Sequence, residues 1–326
     1  MTIPALSPLH LIGNFSDPFT GAERELPDLA QCLGARRKTL LWSDVPPHPS
    51  YAKQGVLAIK PFARQVPVGG MLLFGGVHVG LGVWVRHARP ERIALRYNLA
   101  QHGRLYDIIG QLRDGTGVEP ELLFVSQALQ LGAGLPGTVE RSLIRLEPYL
   151  QQPVERPVGR PFTIGRVSRD TIDKHHKDDA ALYRMLAARG WRIRIMGGTC
   201  LAPQLAGVEG VELLPVGAEP VPRFYSTLDA MFYRTGSFNE AYGRVVFEAM
   251  ASGLPVVAGA VGGYAECISH EKNGFLVHNQ EDALHALESL TIDRSARERI
   301  GLAARERAME LHGNQAIEAQ LQFFLR

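Results

Sequence analysis

The stretch that decides the fold is Gly236 to Gly263, GSFNEAYGRVVFEAMASGLPVVAGAVGG. It follows Leu228 to Tyr233 (LDAMFY), an apolar run that reads as a buried strand, and its first residues, Gly236 to Glu240, read as a loop. From about Tyr242 the apolar residues fall at helical spacing, with Val245, Val246, Ala249 and Met250 on one face. Gly253 ends that helix, and Leu254-Pro255 prevents its continuation before a second strand starts at Val256. Strand, loop, helix, strand is the building unit of a parallel α/β sheet, and such sheets bind ligands beyond the carboxyl ends of their strands.

Two acids stand in this unit with an E-x7-E spacing: Glu240 just before the helix and Glu248 about two turns along it. The amides of Ala241, Tyr242, Gly243 and Arg244 fall at the helix N-terminus, where unpaired N–H groups and the helix dipole favour an anion. A diphosphate seated there would have a carboxylate on each side to accept hydrogen bonds from sugar hydroxyls, and Gly243 would let the backbone approach closely. Taken without their surroundings, the two acids have a plainer reading. Glu240 is then a first-turn acid favoured by the dipole, and Glu248 a solvated helix residue.

Working outward, the same alternation runs through the whole chain. Leu9–Ile12, Thr39–Trp42, Met71–Phe74, Ile93–Tyr97 and Leu122–Val125 read as strands, with a helix over about Ala22–Leu33 and a helix cap at Ser126. Between Gln151 and Pro161 the composition shifts to QQPVERPVGRP, which reads as a linker. Beyond it, strands are expected at Phe162–Gly165, Arg192–Met196, Val211–Leu214, Val256–Ala258 and Phe275–Val277. Helices are expected around Ala180–Arg189, Glu281–Leu290 and Ala296–Leu311. The chain is therefore expected to form two α/β domains, residues 1–155 and 156–326, with the last helix free to pack back on the first domain.

E-x7-E followed by A-M-A-S-G-L-P-V-V, by Gly262-Gly263 with Glu266, and by Asn273-Gly274-Phe275-Leu276-Val277 resembles the retaining GT-B glycosyltransferases of family 4. Phe162 to Arg169, FTIGRVSR, is similar to the G-R-x-S opening of that family's C-terminal domain. The resemblance is specific over roughly residues 160–280 and weak over the N-terminal half. It implies two Rossmann-like domains facing across a cleft. The N-terminal one would bind the acceptor and the C-terminal one a nucleotide-sugar donor. It also implies roles for single residues. Arg166 and Lys174, or Lys177 in place of Lys174, would clamp the donor diphosphate. Glu240 would contact the transferred sugar and Glu248 the ribose. Retention in the family is attributed to front-face attack, in which the departing phosphate takes the acceptor's proton, so no dedicated enzyme base is required; Asp178-Asp179 lacks the D-x-D spacing of metal-dependent transferases, and neither a metal nor a further cofactor is expected. Gly198, in the Gly197-Gly198-Thr199 turn after Arg192–Met196, matches a loop near the nucleotide, although a simple strand-to-helix turn explains it equally.

The N-terminal half carries weaker signals. Gly21, after Asp17-Pro18, is the candidate for a glycine loop facing the donor phosphates, with a plain turn as the competing reading. His78, Asn98 and His102 follow apparent strands and are the acceptor-side candidates. Residues 86–104 hold five arginines, which would attract a phosphorylated or lipid-linked acceptor if they shared a face.

Composition bounds the alternatives. A formal net charge of +2 over 326 residues gives no support to a nucleic-acid binder. Three scattered cysteines, Cys32, Cys200 and Cys267, without a C-x-x-C spacing, argue against a disulfide framework or a structural zinc and fit a cytoplasmic protein. The N-terminus does not read as a signal peptide, and the most apolar stretch, Val68–Val85, holds His78 and six glycines. That stretch reads as buried strand, loop and helix, which leaves room for peripheral contact at the inner face of a membrane. No G-x-G-x-x-G follows the first strand, which removes a Rossmann dehydrogenase. The runner-up to an enzyme is a non-catalytic nucleotide-sugar-binding subunit of a glycan-biosynthetic complex.

Overall fold

The computed structural model describes residues 6–150 and 159–326. The chain divides into two compact units: one runs to Ile144 and adds Asn314–Arg326, and the other is Arg145–Gly313. The expected division at 155/156 thus moves to Ile144/Arg145. Most of the proline-rich linker, residues 151–158, lies outside the described residues.

The first unit is built from β1 (Leu9–Gly13), α1 (Gly21–Leu33), β2 (Thr39–Ser43), α2 (Pro49–Lys53), β3 (Leu57–Ala58), β4 (Met71–Phe74) and α3 (Val85–Ala88). It continues with β5 (Arg92–Tyr97), α4 (His102–Thr116), β6 (Glu121–Phe124), α5 (Gln127–Ala133) and β7 (Thr138–Val139). The strands form one parallel sheet in the order β3-β2-β1-β4-β5-β6-β7. Both faces of its centre are covered, which is why LHLIG and MLLF are buried along their whole length instead of alternating. The one polar residue in LHLIG, His10, accepts at Nδ1 from Trp42 Nε1 at 2.9 Å. β3 and β7 were not expected from sequence; at two residues each they are too short to show a periodic pattern.

The second unit comprises β8 (Thr163–Val167), α6 (Asp179–Ala188), β9 (Arg192–Met196), α7 (Ala202–Leu205), β10 (Val211–Leu214), α8 (Val221–Ser226) and β11 (Ala230–Tyr233). It is completed by α9 (Arg244–Ala251), β12 (Val256–Gly259), β13 (Phe275–Val277), α10 (Gln280–Ile292) and α11 (Arg294–His312). Its sheet is parallel, in the order β10-β9-β8-β11-β12-β13. Side-chain caps start its last two helices: Asn279 Oδ1 accepts from the Asp282 amide and Asp293 Oδ1 from the Ala296 amide. The chain then returns to the first unit as α12 (Asn314–Phe324), whose Ile317, Leu321 and Phe324 join the core of Leu9, Leu11, Leu29 and Leu33.

Both sheets reverse direction beside their first strand, between β1 and β4 in one and between β8 and β11 in the other. Each unit is therefore a doubly wound, Rossmann-like sheet, and two such units make the GT-B architecture. The reversal opens a crevice at the carboxyl ends of those strands, so β8 and β11 mark where a ligand of the second unit belongs.

Candidate active site

The residues singled out in the second unit gather at the carboxyl ends of β8 and β11. β8 is followed by a short 3-10 turn at Ile172–Lys174, and β11 by the loop that leads to Glu240. The two loops are tied together through backbone: the amides of Gly236 and Phe238 donate to Asp173 O at 3.0 and 3.2 Å. Only glycine fits at 236, because a Cβ there would stand 2.5 Å from His175 O. The result is that Lys174 Nζ donates to Glu240 Oε2 at 2.7 Å. Tyr233, at the end of β11, donates its hydroxyl to the same oxygen at 2.7 Å. Burial, and then Glu240 itself, push the Tyr233 phenol well above its ordinary pKa, so it stays a donor. Burial draws the Lys174 ammonium below its usual value, while the Glu240 carboxylate acts in the opposite direction. Lys177 is exposed, so of the two lysines it is Lys174 that reaches Glu240.

Glu240 is also held from behind. The Gly263 amide donates to Glu240 O at 2.9 Å. At Gly262, whose φ is +114°, a Cβ would lie 2.9 Å from that same oxygen. The double glycine of the sequence motif thus serves a close approach to the Glu240 backbone.

α9 starts later than the sequence pattern suggests. Gly243 takes the left-handed conformation at φ +82° and caps the helix, so Arg244 is its first residue, and Ala241 and Tyr242 form a turn before it. The side chain of Tyr242 turns inward, its hydroxyl 2.9 Å from His312 Nε2 and its ring stacked 4.7 Å from Phe247. That leaves only the Tyr242 backbone for a ligand. Glu248 is 1% exposed on α9, which removes the solvated-residue reading.

Arg166 departs from the expected role. It is fully buried on β8, its guanidinium donating to Arg234 O and Lys174 O at 2.7 Å each and lying 4.4 Å over the Tyr233 ring. These bonds fix the two loops that carry Lys174 and Glu240. The Arg166 guanidinium is thereby committed to backbone carbonyls. The cation that the sequence reading passed over is Arg169, half-buried and 5.0 Å over the Phe238 ring, which also has Lys174 Nζ 3.4 Å from its centroid. Two cations thus share one aromatic ring while Glu240 offers a single carboxylate, and the unmatched positive charge suits an anionic ligand. An F-x-x-x-x-Lys search around a G-R-x-S motif would not have found Phe238, because the contact exists only once the two loops are tied.

Residues 174–179, Lys174-His175-His176-Lys177-Asp178-Asp179, point to different surroundings when folded. His175 is buried with Nε2 on Gly197 O at 3.0 Å, and burial followed by the Arg166 charge lowers its pKa to about 4, so it is neutral. Asp179 is the buried partner of Arg234. Gly198 lies in the turn after β9, where a side chain would strike Ile195. Thr199 and the Cys200 amide both bond to Asp170, the latter at 2.8 Å, so this turn is fastened to the loop after β8.

In the first unit the four remaining candidates also fall beyond strand ends. Gly21 is the first residue of α1, after Asp17, whose carboxylate accepts from the Phe19 amide at 2.9 Å. His78 is exposed after β4. Asn98, after β5, donates from Nδ2 to Gly75 O at 2.7 Å, and His102, the first residue of α4, has Nδ1 3.2 Å from the Tyr97 hydroxyl. The arginines of residues 86–104 do not share one face. Arg92 pairs with Glu121, and Arg96 is buried against Glu25 and Glu140.

Residues 162–307 match the glycosyl transferases group 1 family. That segment contains Arg166, Arg169, Lys174, Tyr233, Phe238, Glu240 and Glu248. Among curated relatives, spore coat protein SA of Bacillus subtilis (strain 168) is 32% identical over 109 residues, 32% of this chain and 29% of that protein. A D-inositol 3-phosphate glycosyltransferase of Pseudarthrobacter chlorophenolicus is 38% identical over 99 residues, 30% of this chain and 23% of that one. The chain thus aligns with less than a third of the length of these curated relatives. Among solved structures, Anabaena HepE in complex with UDP superposes with a TM-score of 0.78 over 98% of this chain and 99% of that one, at 18% identity. Among the described residues, no helix is long and apolar enough to cross a membrane.

Proposed function

We propose that this chain is a retaining, metal-independent glycosyltransferase of family 4 that moves a sugar from a nucleotide diphosphate sugar to a glycan, lipid-linked or small-molecule acceptor. The observation that carries this reading is the joint placement of Lys174, Arg169 and Glu240 at the switch point of the second sheet, ahead of the N-terminus of α9. Lys174 and Arg169 neutralise the diphosphate, whose charge grows as the glycosidic bond breaks. Glu240, held by Tyr233 on one oxygen, orients the transferred sugar through hydrogen bonds to its hydroxyls. Glu248 receives the ribose. The departing phosphate takes the proton of the acceptor hydroxyl, so no protein base is required. UDP is the first donor nucleotide to test, since HepE binds it, and GDP the second. The setting is polysaccharide biosynthesis in the cytoplasm, with acceptor delivery at the inner membrane face.

Calorimetric titration with UDP, GDP and their sugar conjugates, with EDTA present, tests the reading. Binding of one nucleotide that is lost in Lys174→Ala supports it. Absence of binding to all of them, in a folded protein, removes it.

A further inference from the structure

A cavity of about 330 Å³ opens at the carboxyl ends of β11, β12 and β13, bounded by Arg234–Asn239, Gly259–Val261 and Val277–His278 and closed by His176 and Tyr264. Its volume falls in the range of small-molecule sites, roughly 300–1,000 Å³. Neither Lys174 nor Glu240 lines it.

Every polar side chain of the wall can donate a hydrogen bond, Thr235, Ser237 and Asn239 among them. Arg234 is locked in place, with Nε and Nη2 on Asp179 Oδ1 at 2.9 and 2.5 Å, and this pair is almost wholly buried. Its Nη1 makes no hydrogen bond among the described residues. His176 and His278 come from two other loops, and none of the lining residues carries a carboxylate. Asp178 lies 3.7 Å from His176 Nδ1, Asp282 accepts from the His278 amide and Asp179 pairs with Arg234, so these acids hold the donor-bearing residues without themselves lining the cavity. The second observation is Tyr264. Its side chain is fully buried and its hydroxyl has no hydrogen-bond partner, an uncommon state for a buried polar group. Gly259 keeps the space next to it open: a Cβ there would be 3.7 Å from the Tyr264 hydroxyl and 3.6 Å from Arg234 Cγ.

A guanidinium, two imidazoles and a phenol that line one cavity from separate loops match the terminal oxygens of a tetrahedral anion. We propose that this cavity binds the phosphate of a small phosphomonoester, with Arg234, His176 and His278 around it and the Tyr264 hydroxyl as a further donor. The cavity leaves room for the polar body that carries the phosphate. This site goes beyond the donor-transfer reading and stands without it.

The test is calorimetric titration of the full chain with glucose 6-phosphate, inorganic phosphate and glucose, repeated on Val261→Glu and His278→Ala. Both side chains are exposed at the rim, so folding is preserved, and thermal melts check this. Glucose 6-phosphate is expected to bind, with glucose silent and inorganic phosphate weaker. Each variant should weaken binding by about tenfold or more, through a like charge at the rim or a lost donor, while UDP affinity stays unchanged. No binding of glucose 6-phosphate, or binding indifferent to both variants, overturns the proposal. Equal affinity for inorganic phosphate overturns the phosphomonoester assignment. Displacement of glucose 6-phosphate by UDP overturns it as well, because the cavity would then belong to the donor diphosphate. A failure of UDP to bind bears only on the transfer reading.

Discussion

Lys174 Nζ and Glu240 Oε2 meet at 2.7 Å across 66 residues of sequence, with the Tyr233 hydroxyl on the same carboxylate oxygen. The pair leaves the carboxylate oriented before any ligand arrives. An incoming diphosphate would share the ammonium with Glu240 and thereby meet the sugar-binding acid at once. Glu240→Ala is expected to lower turnover by roughly 100-fold or more while leaving nucleotide affinity largely intact. Lys174→Met is expected to weaken nucleotide binding by about 1–3 kcal/mol, the scale of a lost charged hydrogen bond. Steady-state kinetics beside calorimetry separates the two effects, and normal turnover in Glu240→Ala would sink the assignment.

Arg166 makes a different prediction because it is buried and bonded to two carbonyls. Arg166→Met strands Arg234 O and Lys174 O inside the unit, so folding stability should fall by on the order of 3 kcal/mol. The measurement is a denaturant midpoint at constant m-value. An unchanged midpoint together with lost UDP binding would return Arg166 to the direct clamp role that family resemblance implies.

His175 ties stability to pH. Its folded pKa of about 4 lies below the ordinary 6.5, because burial and then Arg166 oppose the charge. At pH above 6.5 the imidazole is neutral in both states and has no linkage effect. As pH falls below 6.5 the unfolded chain takes up the proton first, so stability declines until the folded imidazole also titrates near 4. The full effect is about 3 kcal/mol at 1.36 kcal/mol per unit. Unfolding free energies between pH 7 and 4 should show this slope in the native protein and a shallower one in His175→Gln. Equal slopes would show that another group carries the acid sensitivity.

Gly243 is the most constrained position of the α9 entry. At φ +82°, a Cβ would come within 2.5 Å of Tyr264 Cδ1 and 3.3 Å of Glu240 Cγ. Gly243→Ala should cost about 1–3 kcal/mol of strain and displace the ring or the carboxylate. The expected signature is a lower melting temperature with reduced turnover, and a variant as stable and active as the native protein would contradict this packing.

The sequence was most legible where burial is continuous. MLLF, buried at every position, is a strand within the bounds read from its apolar run, because a parallel strand covered on both faces needs no alternation; RIRIM, VELL and FLV keep their bounds too, with VELL half-buried throughout. It was less legible where glycine decides. Tyr242 fits the helical period of α9, yet Gly243 breaks in with a left-handed residue and delays the helix to Arg244. For the site, Lys174 and Glu240 were recoverable from motif and spacing. The inward turn of Arg166 was not, since a basic residue in a motif does not say whether its partners are backbone carbonyls or a ligand. Tyr233, Phe238 and Arg169 were overlooked for a related reason. Each acquires its role only through contacts between loops that follow different strands.

The return of α12 to the first sheet has a consequence for biosynthesis. The core that begins with β1 lacks Ile317, Leu321 and Phe324 until the whole second unit has been translated. The unit begun first is therefore completed last, and its nascent form carries an uncovered apolar surface in the meantime. Domains emerging from the ribosome normally fold in N-to-C order, and partly built cores are prone to aggregate. Here the first unit waits for Asn314–Arg326, a segment that follows the whole of the second unit in sequence.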